Sequence, residues 1–182
     1  MSEAVVRELP LALVRAGSGD EAAFAELVRE HEAMVFGIAL HSLGDRAQAE
    51  DLAQEVFLQL YRRIAEIESP SHLVHWLRKV ATNRCIDAAR RRRFRLVSLS
   101  DAEEGTETAR EPDLLAAARI RAYLAELPPK QAAVITLRFQ EEMELAEIAR
   151  TLDVPLNTVK SHLRRGMETL RRRLERRERR ER

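Results

Sequence analysis

The side chains best suited to chemistry lie in the stretch RKVATNRCIDAARRRRFR, residues 78–95. It contains eight basic residues, one acid and a single Asn set among hydrophobic residues. Guanidinium and ammonium groups bind phosphate oxygens whatever the base sequence, whereas the amide of Asn83 offers a donor and an acceptor to a base edge. This composition is typical of a nucleic-acid surface, although charge alone is equally typical of a solvated helix face.

A second basic surface follows in the segment ELAEIARTLDVPLNTVKSHLRRGMETLRRRL. Its spacing predicts a short helix over 145–152, a tight connection over 153–157 capped by Asn157, and a helix over 158–173. Hydroxyl, Lys and Arg side chains near a helix N-terminus suit the DNA major groove, so we predict a helix-turn-helix rather than a hairpin with a solvated face. The polar face holds Thr158, Lys160, Ser161, Arg164, Arg165 and Glu168, and the inner face holds Val159, Leu163, Met167, Leu170 and Leu174.

Residues that could serve an enzyme are sparse. His72, His75 and Cys85 are the only candidates for a metal site, and their spacing does not supply the ligands of a closed tetrahedral site. We expect the two histidines at the surface or the edge of the core. The sequence contains no phosphate loop, nucleophile–base pair or supported carboxylate pair, so we predict neither an enzyme nor a cofactor.

The formal net charge of +1 conceals a segregation of charge along the 182 residues. Residues 72–95 and 150–182 each carry a net charge of +7, whereas residues 1–71 carry −7 and residues 96–113 carry −5. Two separated basic blocks predict two contacts with a polyanion. The N-terminus has no signal pattern and no apolar run approaches about 18 residues, so we expect a cytoplasmic protein without membrane insertion.

Helical spacing of apolar residues recurs along the chain, and strand-like alternation does not persist. Asp20 and Asp45 are placed to cap two helices. A third helix is expected over 71–93, and two more over 114–127 and 130–138. The predicted inward-facing residues of the first three helices are Phe24, Leu27, Val28, His31, Val35, Ile38 and Ala39; Ala49, Leu52, Ala53, Val56, Phe57, Leu60 and Ile64; and Leu73, Leu77, Val80 and Ala81.

The helical segments fall into two groups. Residues 96–112 are rich in Ser, Thr, Gly and acids, which predicts a flexible, self-repelling linker. We therefore predict an all-α protein with two small helical domains, 1–95 and 113–182. The Arg-rich tail after residue 170 fits a frayed helix and a non-specific DNA contact equally well.

These motifs together resemble the extracytoplasmic-function (group IV) sigma factors of bacterial RNA polymerase. The segments GDEAAFAELVREHEAMVFGIA, AEDLAQEVFLQLYRRI and WLRKVATNRCIDAARRRR resemble the sigma-two domain of that family. The segment from LPPKQAAVITLRF to the second basic helix resembles its sigma-four domain. The resemblance covers residues 19–174 and implies a polymerase subunit that reads promoters.

In the first domain the resemblance implies contacts with the −10 promoter element. Asn83 would face a base edge, and Asp87 would do the same or orient neighbouring arginines. Trp76 would stack on an unpaired base or belong to the core. The turn over 68–72 would receive a flipped-out base. The side chains implied to hold phosphates, which confer salt-dependent affinity, are Arg78, Lys79, Arg84, Arg90, Arg91 and Arg92.

The remaining implied contacts involve the −35 duplex and the polymerase. Thr158, Lys160, Ser161, Arg164 and Arg165 correspond to the −35 readers. Asp51, Gln54, Glu55 and Leu58 correspond to the surface that docks on the clamp coiled coil of the largest subunit. The second domain would sit on the flap of the other large subunit through Leu127, Val134, Ile135, Leu137 and Phe139, although we prefer core positions for most of these.

Three functions remain open on the sequence. The preferred one is an alternative sigma factor with core RNA polymerase, promoter DNA and an anti-sigma factor as partners. The second is a conventional helix-turn-helix regulator that binds duplex DNA alone, which would not need the acidic docking face. The third is a helical interaction module whose basic faces are incidental.

Overall fold

The computed structural model describes residues 11–98 and 112–181, and within them every regular element is helical. The predicted all-α class is therefore confirmed. Most of the predicted linker lies outside the described residues, but helices enter the 96–112 range from both sides. The elements are α1 (Leu11–Gly17), α2 (Glu21–Leu43), α3 (Arg46–Arg63), a 3-10 turn (Ile64–Glu66), α4 (Pro70–Ser98), α5 (Pro112–Glu126), α6 (Pro129–Phe139), α7 (Leu145–Leu152) and α8 (Leu156–Glu181).

The two predicted aspartate caps are confirmed. Asp20 Oδ1 accepts the Ala23 N–H at 3.0 Å, and Asp45 Oδ1 accepts the Gln48 N–H at 3.0 Å. These backbone hydrogen bonds favour the ionised carboxylates, and they are the main reason why the pKa of each cap lies below its usual range. The caps fix where α2 and α3 begin and thereby the register of their inner faces.

The first domain packs α2, α3 and α4 around one apolar core. Most of the predicted inward residues are buried, and Phe24, Val28, Ala53 and Val80 pack at its edge. Trp76 is half-buried against the same core. Helix α1 was not predicted, because its seven residues supply only Leu13 and Ala16 to the core, too few for a recognisable period.

The second domain packs α6, α7 and α8 together, with α5 against α6 and α8. Its inner core is formed by Val134, Leu137, Met143, Ile148 and Val159. A second cluster comprises Leu124, Leu127, Ala132 and Ile135. Four of the five apolar residues considered for the flap are thus buried, as preferred, and Phe139 is exposed.

Two details of α8 differ from the prediction. Asn157 is not the cap, because α8 begins at Leu156 and the Pro155 carbonyl accepts the Thr158 and Val159 N–H groups at 2.9 and 3.2 Å. Met167 is 42% exposed instead of facing inward. Gly166 lies at the α6 contact in its place, since a Cβ there would fall 2.7 Å from Ile135 Cδ1.

Another difference is that Leu174 is exposed, whereas the sequence placed it on the inner face of α8. Beyond this position α8 continues as a regular helix to Glu181, so the tail is helical to that residue. Pairs one turn apart stabilise it, with Arg171 Nε 2.8 Å from Glu175 Oε1 and Arg172 Nη2 2.5 Å from Glu168 Oε1.

The two helical groups pack against each other. Helix α4 contacts α6 and α7, and α2 contacts α5 and α6. Gly44 ends α2 with φ of 70°, in the left-handed region that favours glycine, and a Cβ there would lie 3.0 Å from Ala125 Cβ. The sequence patterns, which report on each helix separately, did not predict this contact.

Candidate nucleic-acid and protein interfaces

Helix α8 presents its predicted reading face to solvent. Lys160, Arg164 and Arg165 are exposed, and Thr158 and Ser161 are half-buried. None of the three basic side chains forms a hydrogen bond or ion pair with another described residue. The three basic side chains of this face are therefore open to solvent and unpaired.

The turn between α7 and α8 fixes the direction of that face. Asp153 ends α7 in the left-handed region with φ of 52°, and the Val154 N–H donates to the Ala149 carbonyl at 3.1 Å. At the other end of α7 the Glu144 N–H donates to Glu147 Oε2 at 3.0 Å. These contacts hold α7 and α8 as a helix-turn-helix, as the sequence predicted.

Helix α4 carries a continuous polar stripe. At 100° per residue, Asn83, Asp87 and Arg90 fall on one side of the helix, and all three are exposed. Phe94 continues the same stripe and is 83% exposed. Phe94 was not predicted as a site residue, although it lies four residues after Arg90 and an aromatic ring among arginines suits nucleic acid.

Several of the α4 arginines already have partners. Arg84 Nη2 donates to Gln59 Oε1 at 3.1 Å and Arg84 also pairs with Glu55. Arg92 Nη1 donates to the Leu43 carbonyl at 3.3 Å, at the end of α2. Lys79 and Arg91, by contrast, are exposed and form no hydrogen bond or ion pair with described residues. The basic stretch is thus partly structural.

The turn before α4 is closed by its own side chains. The Glu68 N–H donates to His72 Nδ1 at 3.2 Å, and the His72 N–H donates to Ser69 Oγ at 3.0 Å. Ser69 and Ser71 share a hydroxyl hydrogen bond of 3.0 Å. The turn contains hydroxyls and an imidazole but no Phe, Tyr or Trp ring.

The four predicted docking residues of α3 lie together on its exposed side. Asp51, Gln54, Glu55 and Leu58 are all exposed, Leu58 to 58%. Gln54 and Leu58 also line an apolar groove of about 790 Å³ between α2 and α3. The sequence patterns did not predict this groove: Phe24, Val28 and Phe57 in its walls were predicted as core, and Phe36 and Tyr61 were not selected.

A smaller cleft of about 330 Å³ lies between α4 and the second domain. Its α4 side contains Asn83, Asp87 and Arg90, and its other side contains Lys130 and His162. Burial first, and then the charges of Lys130 and Arg165, lower the pKa of His162. Its Nδ1 is buried without a hydrogen-bond partner in the described residues. One face of α4, the predicted −10 helix, therefore lies across this cleft from His162 of α8, the predicted −35 helix.

The candidate metal residues do not assemble into a site. Among the described residues no three His, Cys, Asp or Glu side chains are grouped to hold a metal ion. Cys85 is 1% exposed, and its burial raises the pKa of the thiol to about 12. None of the described helices is both long and apolar enough to cross a membrane.

Comparison with known proteins assigns the two halves of the chain to two family models. Residues 27–95 match Sigma-70 region 2, and residues 117–170 match Sigma-70, region 4. The solved structure of CnrH in complex with the cytosolic domain of CnrY has the same fold. The match covers 90% of this chain and 95% of the CnrH chain, with a TM-score of 0.64 at 22% identity.

Curated relatives extend over most of the chain. It is 35% identical to the ECF RNA polymerase sigma factor SigE of Mycolicibacterium smegmatis over 85% of the chain and 63% of SigE. It is 31% identical to SigW of Bacillus subtilis, over 86% of the chain and 91% of SigW. It is 37% identical to SigL of Mycobacterium tuberculosis, over 85% of the chain and 92% of SigL. The chain belongs to the ECF family of RNA polymerase sigma factors.

Proposed function

We propose that the protein is an alternative sigma factor that binds core RNA polymerase and directs it to promoters with specific −35 and −10 elements. It acts in the cytoplasm and performs no covalent chemistry. The observation that carries the proposal is the pairing, in one chain, of an open recognition face on α8 with an acidic docking face on α3. The first needs only DNA, whereas the second needs a protein partner.

At the −35 element, α8 enters the major groove with its N-terminal turns. Lys160, Arg164 and Arg165 reach base edges or phosphates, and the hydroxyls of Thr158 and Ser161 provide further hydrogen bonds. Bidentate contacts from arginine to guanine are the strongest of these. Exposure of all three basic side chains supports this role.

At the −10 element, α4 holds the non-template strand. Lys79, Arg90 and Arg91 bind phosphates, and Asn83 reads a base edge. Asp87 reads a base or orients Arg90, since Asp87 Oδ1 is 4.0 Å from Arg90 Nη1. Arg78 and Arg84 reach phosphates only by exchanging their present partners. Trp76 is half-buried, so it contributes a ring edge at most.

The docking face binds the clamp coiled coil of the polymerase. Asp51 and Glu55 supply negative charge to a basic helical partner, and Leu58 with the adjoining groove supplies apolar area. The second domain binds the flap, with exposed Phe139 as an apolar contact. The resemblance to the family further implies an anti-sigma factor as a partner.

The docking proposal is tested by Asp51→Arg. We expect this variant to lose binding to core polymerase and run-off transcription, because it reverses a charge at the centre of the interface, while its circular dichroism and melting temperature stay unchanged. Glu26→Arg, at an exposed acid of α2 that does not line the groove, serves as the matched control. Association of Asp51→Arg at the wild-type level contradicts the docking face.

A promoter library transcribed with core polymerase tests the function as a whole. Run-off products that depend on the protein, with enriched −35 and −10 sequences, support the proposal. Specific duplex binding without any effect on polymerase would instead indicate a conventional helix-turn-helix regulator.

A further inference from the structure

One aromatic side chain of α4 has no apolar partner within the protein. Phe94 is 83% exposed, more than any other large apolar side chain among the described residues, and it belongs to none of their hydrophobic clusters. A ring left in water forgoes the favourable transfer into an apolar environment. Single exposed apolar residues are common on protein surfaces, so exposure alone assigns no role to Phe94, and its position on the helix has to be considered as well.

Phe94 lies on the stripe that is proposed to read the −10 strand. At 100° per residue, Asn83, Asp87, Arg90 and Phe94 fall within about 60° of one another around α4. Arg91, next to Arg90, is exposed and has no hydrogen bond or ion pair with another described residue. The ring therefore projects from the same side of α4 as the amide of Asn83, close to cations that can hold phosphates.

The stripe extends well beyond the residue proposed to read a base. Asn83 and Phe94 are separated by about 16 Å along the helix axis, at about 1.5 Å per residue. Along DNA parallel to α4, that distance corresponds to about five base pairs at roughly 3.4 Å per pair. Phe94 therefore meets a part of the promoter that Asn83 does not reach.

The connection to the second domain orients α4 on the promoter. Elements named for positions about 25 base pairs apart lie roughly 85 Å apart on B-DNA. The chain from Ser98 to Pro112 spans at most about 50 Å. If the N-terminal end of α4 faced the −35 element, that chain would have to run back along the whole helix, which is about 43 Å long. The C-terminal end of α4, with Phe94, therefore faces the −35 side.

The DNA on the −35 side of the melted strand is paired. Helix α8 is proposed to read the −35 element as an intact duplex, so the strand that Asn83 holds returns to a duplex in that direction. The faces of paired bases are stacked on one another, and a phenyl ring forms no hydrogen bond with a phosphate. The apolar group that a base pair presents in the major groove is the C5-methyl of thymine, which Phe side chains contact.

We infer that Phe94 is a further specificity-determining residue, which contacts a thymine methyl in the duplex on the −35 side of the −10 element. Arg90 and Arg91 hold the neighbouring phosphates, and the ring adds a preference for thymine at one more promoter position. The inference rests on the proposed function of α4, because it requires the −10 strand to lie on that helix.

The test uses deoxyuridine, which differs from thymidine only by lacking the C5-methyl. The promoter carries the −35 and −10 elements recovered from the library, with alternating A·T and T·A pairs between them. Each thymine of this spacer, on either strand, is replaced by deoxyuridine in turn. Fluorescence anisotropy at fixed salt measures binding of the holoenzyme, which is core polymerase with the full-length wild-type or variant chain.

We expect one deoxyuridine to weaken binding of the wild-type holoenzyme about threefold to fivefold, the effect of exposing one buried methyl group. Phe94→Ala should bind the thymine and deoxyuridine promoters equally, because the methyl has lost its partner. Phe94→Leu should keep most of the difference, since an aliphatic side chain can also cover a methyl group. Leu11→Ala, at an exposed apolar residue of α1 outside the proposed interfaces, is the matched control and should behave as the wild type.

Three results overturn the inference. The first is a wild-type holoenzyme that is insensitive to every deoxyuridine, and the second is an undiminished sensitivity in Phe94→Ala. The third is loss of the thymine preference in Phe94→Leu, which would indicate that the ring stacks on an unpaired base.

Run-off transcription by the wild type separates failure of the inference from failure of the proposed function. If the wild type directs transcription and no deoxyuridine weakens binding, only the role of Phe94 is wrong. If the wild type never directs transcription, the proposed function is wrong and the inference falls with it.

Discussion

The two basic helices carry their charge in different ways. On α8, Lys160, Arg164 and Arg165 project into solvent without an acid partner among the described residues. On α4, Arg78 is bound to Glu141 in the connection between α6 and α7, and Arg84 is bound to Glu55 of α3. The basic side chains of α8 are thus free of acid partners, whereas those of α4 are partly engaged in internal contacts.

This difference matches what each helix is proposed to meet. An intact duplex is rigid, so a preorganised face loses little on binding it. A melted strand forms only on the polymerase, so a helix that stays partly engaged until then avoids premature contacts. The number of arginines in a basic stretch therefore does not give the number of phosphate contacts, because some of them have partners within the protein.

The largest effect should come from Arg165→Ala on the open helix. We expect binding to −35 duplex to weaken by about 1–3 kcal/mol if the contact is to a base, with no change in melting temperature. Arg171→Ala, an exposed arginine further along α8, is the control and should have a smaller effect that is uniform across sequences. Equal losses in both variants, measured by anisotropy at fixed salt, would remove the distinction between reading face and tail.

Arg84→Ala addresses the engaged helix. Because Arg84 joins α4 to Gln59 and Glu55 of α3, its loss should lower the free energy of unfolding by roughly 1 kcal/mol. Arg91→Ala, in which an exposed and unengaged side chain is removed, should change it by less than about 0.5 kcal/mol. Urea unfolding of the two variants compares them, and indistinguishable midpoints would mean that Arg84 has no structural role.

The smallest effects concern how the helices begin. Asp45→Ala should lower the free energy of unfolding by about 1 kcal/mol, since α3 loses its cap. Asn157→Ala should have little effect, because the Pro155 carbonyl and not the Asn157 side chain accepts the first N–H groups of α8. The folded-state pKa of Asp45 is lowered, so its contribution is present above about pH 4 and is lost as the pH falls through that pKa. Asp45→Asn should keep the cap and flatten this part of the pH profile. A midpoint for Asn157→Ala as low as that of Asp45→Ala would restore Asn157 as a cap.

The fold followed from the sequence where the information is local. The caps at Asp20 and Asp45 and the apolar faces of α2 and α3 were predicted because they depend on residues three or four apart. The start of α8 was predicted wrongly at Asn157, because the carbonyl of Pro155 accepts the first N–H groups of the helix, which begins at Leu156. Met167 was predicted wrongly on the inner face of α8, because the apolar period allows two faces of the helix to point inward. The close approach of Gly166 to Ile135 selects one of them.

Only part of the candidate interfaces could be predicted from the sequence. The exposed face of α8 follows from one helix and was predicted, although its contacts with DNA stay a prediction. The partners of Arg78 and Arg84, at positions 63 and 25 residues away, are long-range contacts that no local period reports. The groove between α2 and α3 was read as core for the same reason, since a period shows that a residue is apolar but not whether a neighbour covers it.

The burial of Cys85 has a practical consequence for labelling the protein. A thiol with a pKa of about 12 and almost no exposure stays protonated and out of reach of maleimides at neutral pH. A cysteine introduced on an exposed position of each domain would therefore take a spectroscopic label in the otherwise natural sequence. Because the native thiol does not react, two such labels would report the distance between the two halves of the chain as polymerase and DNA are added.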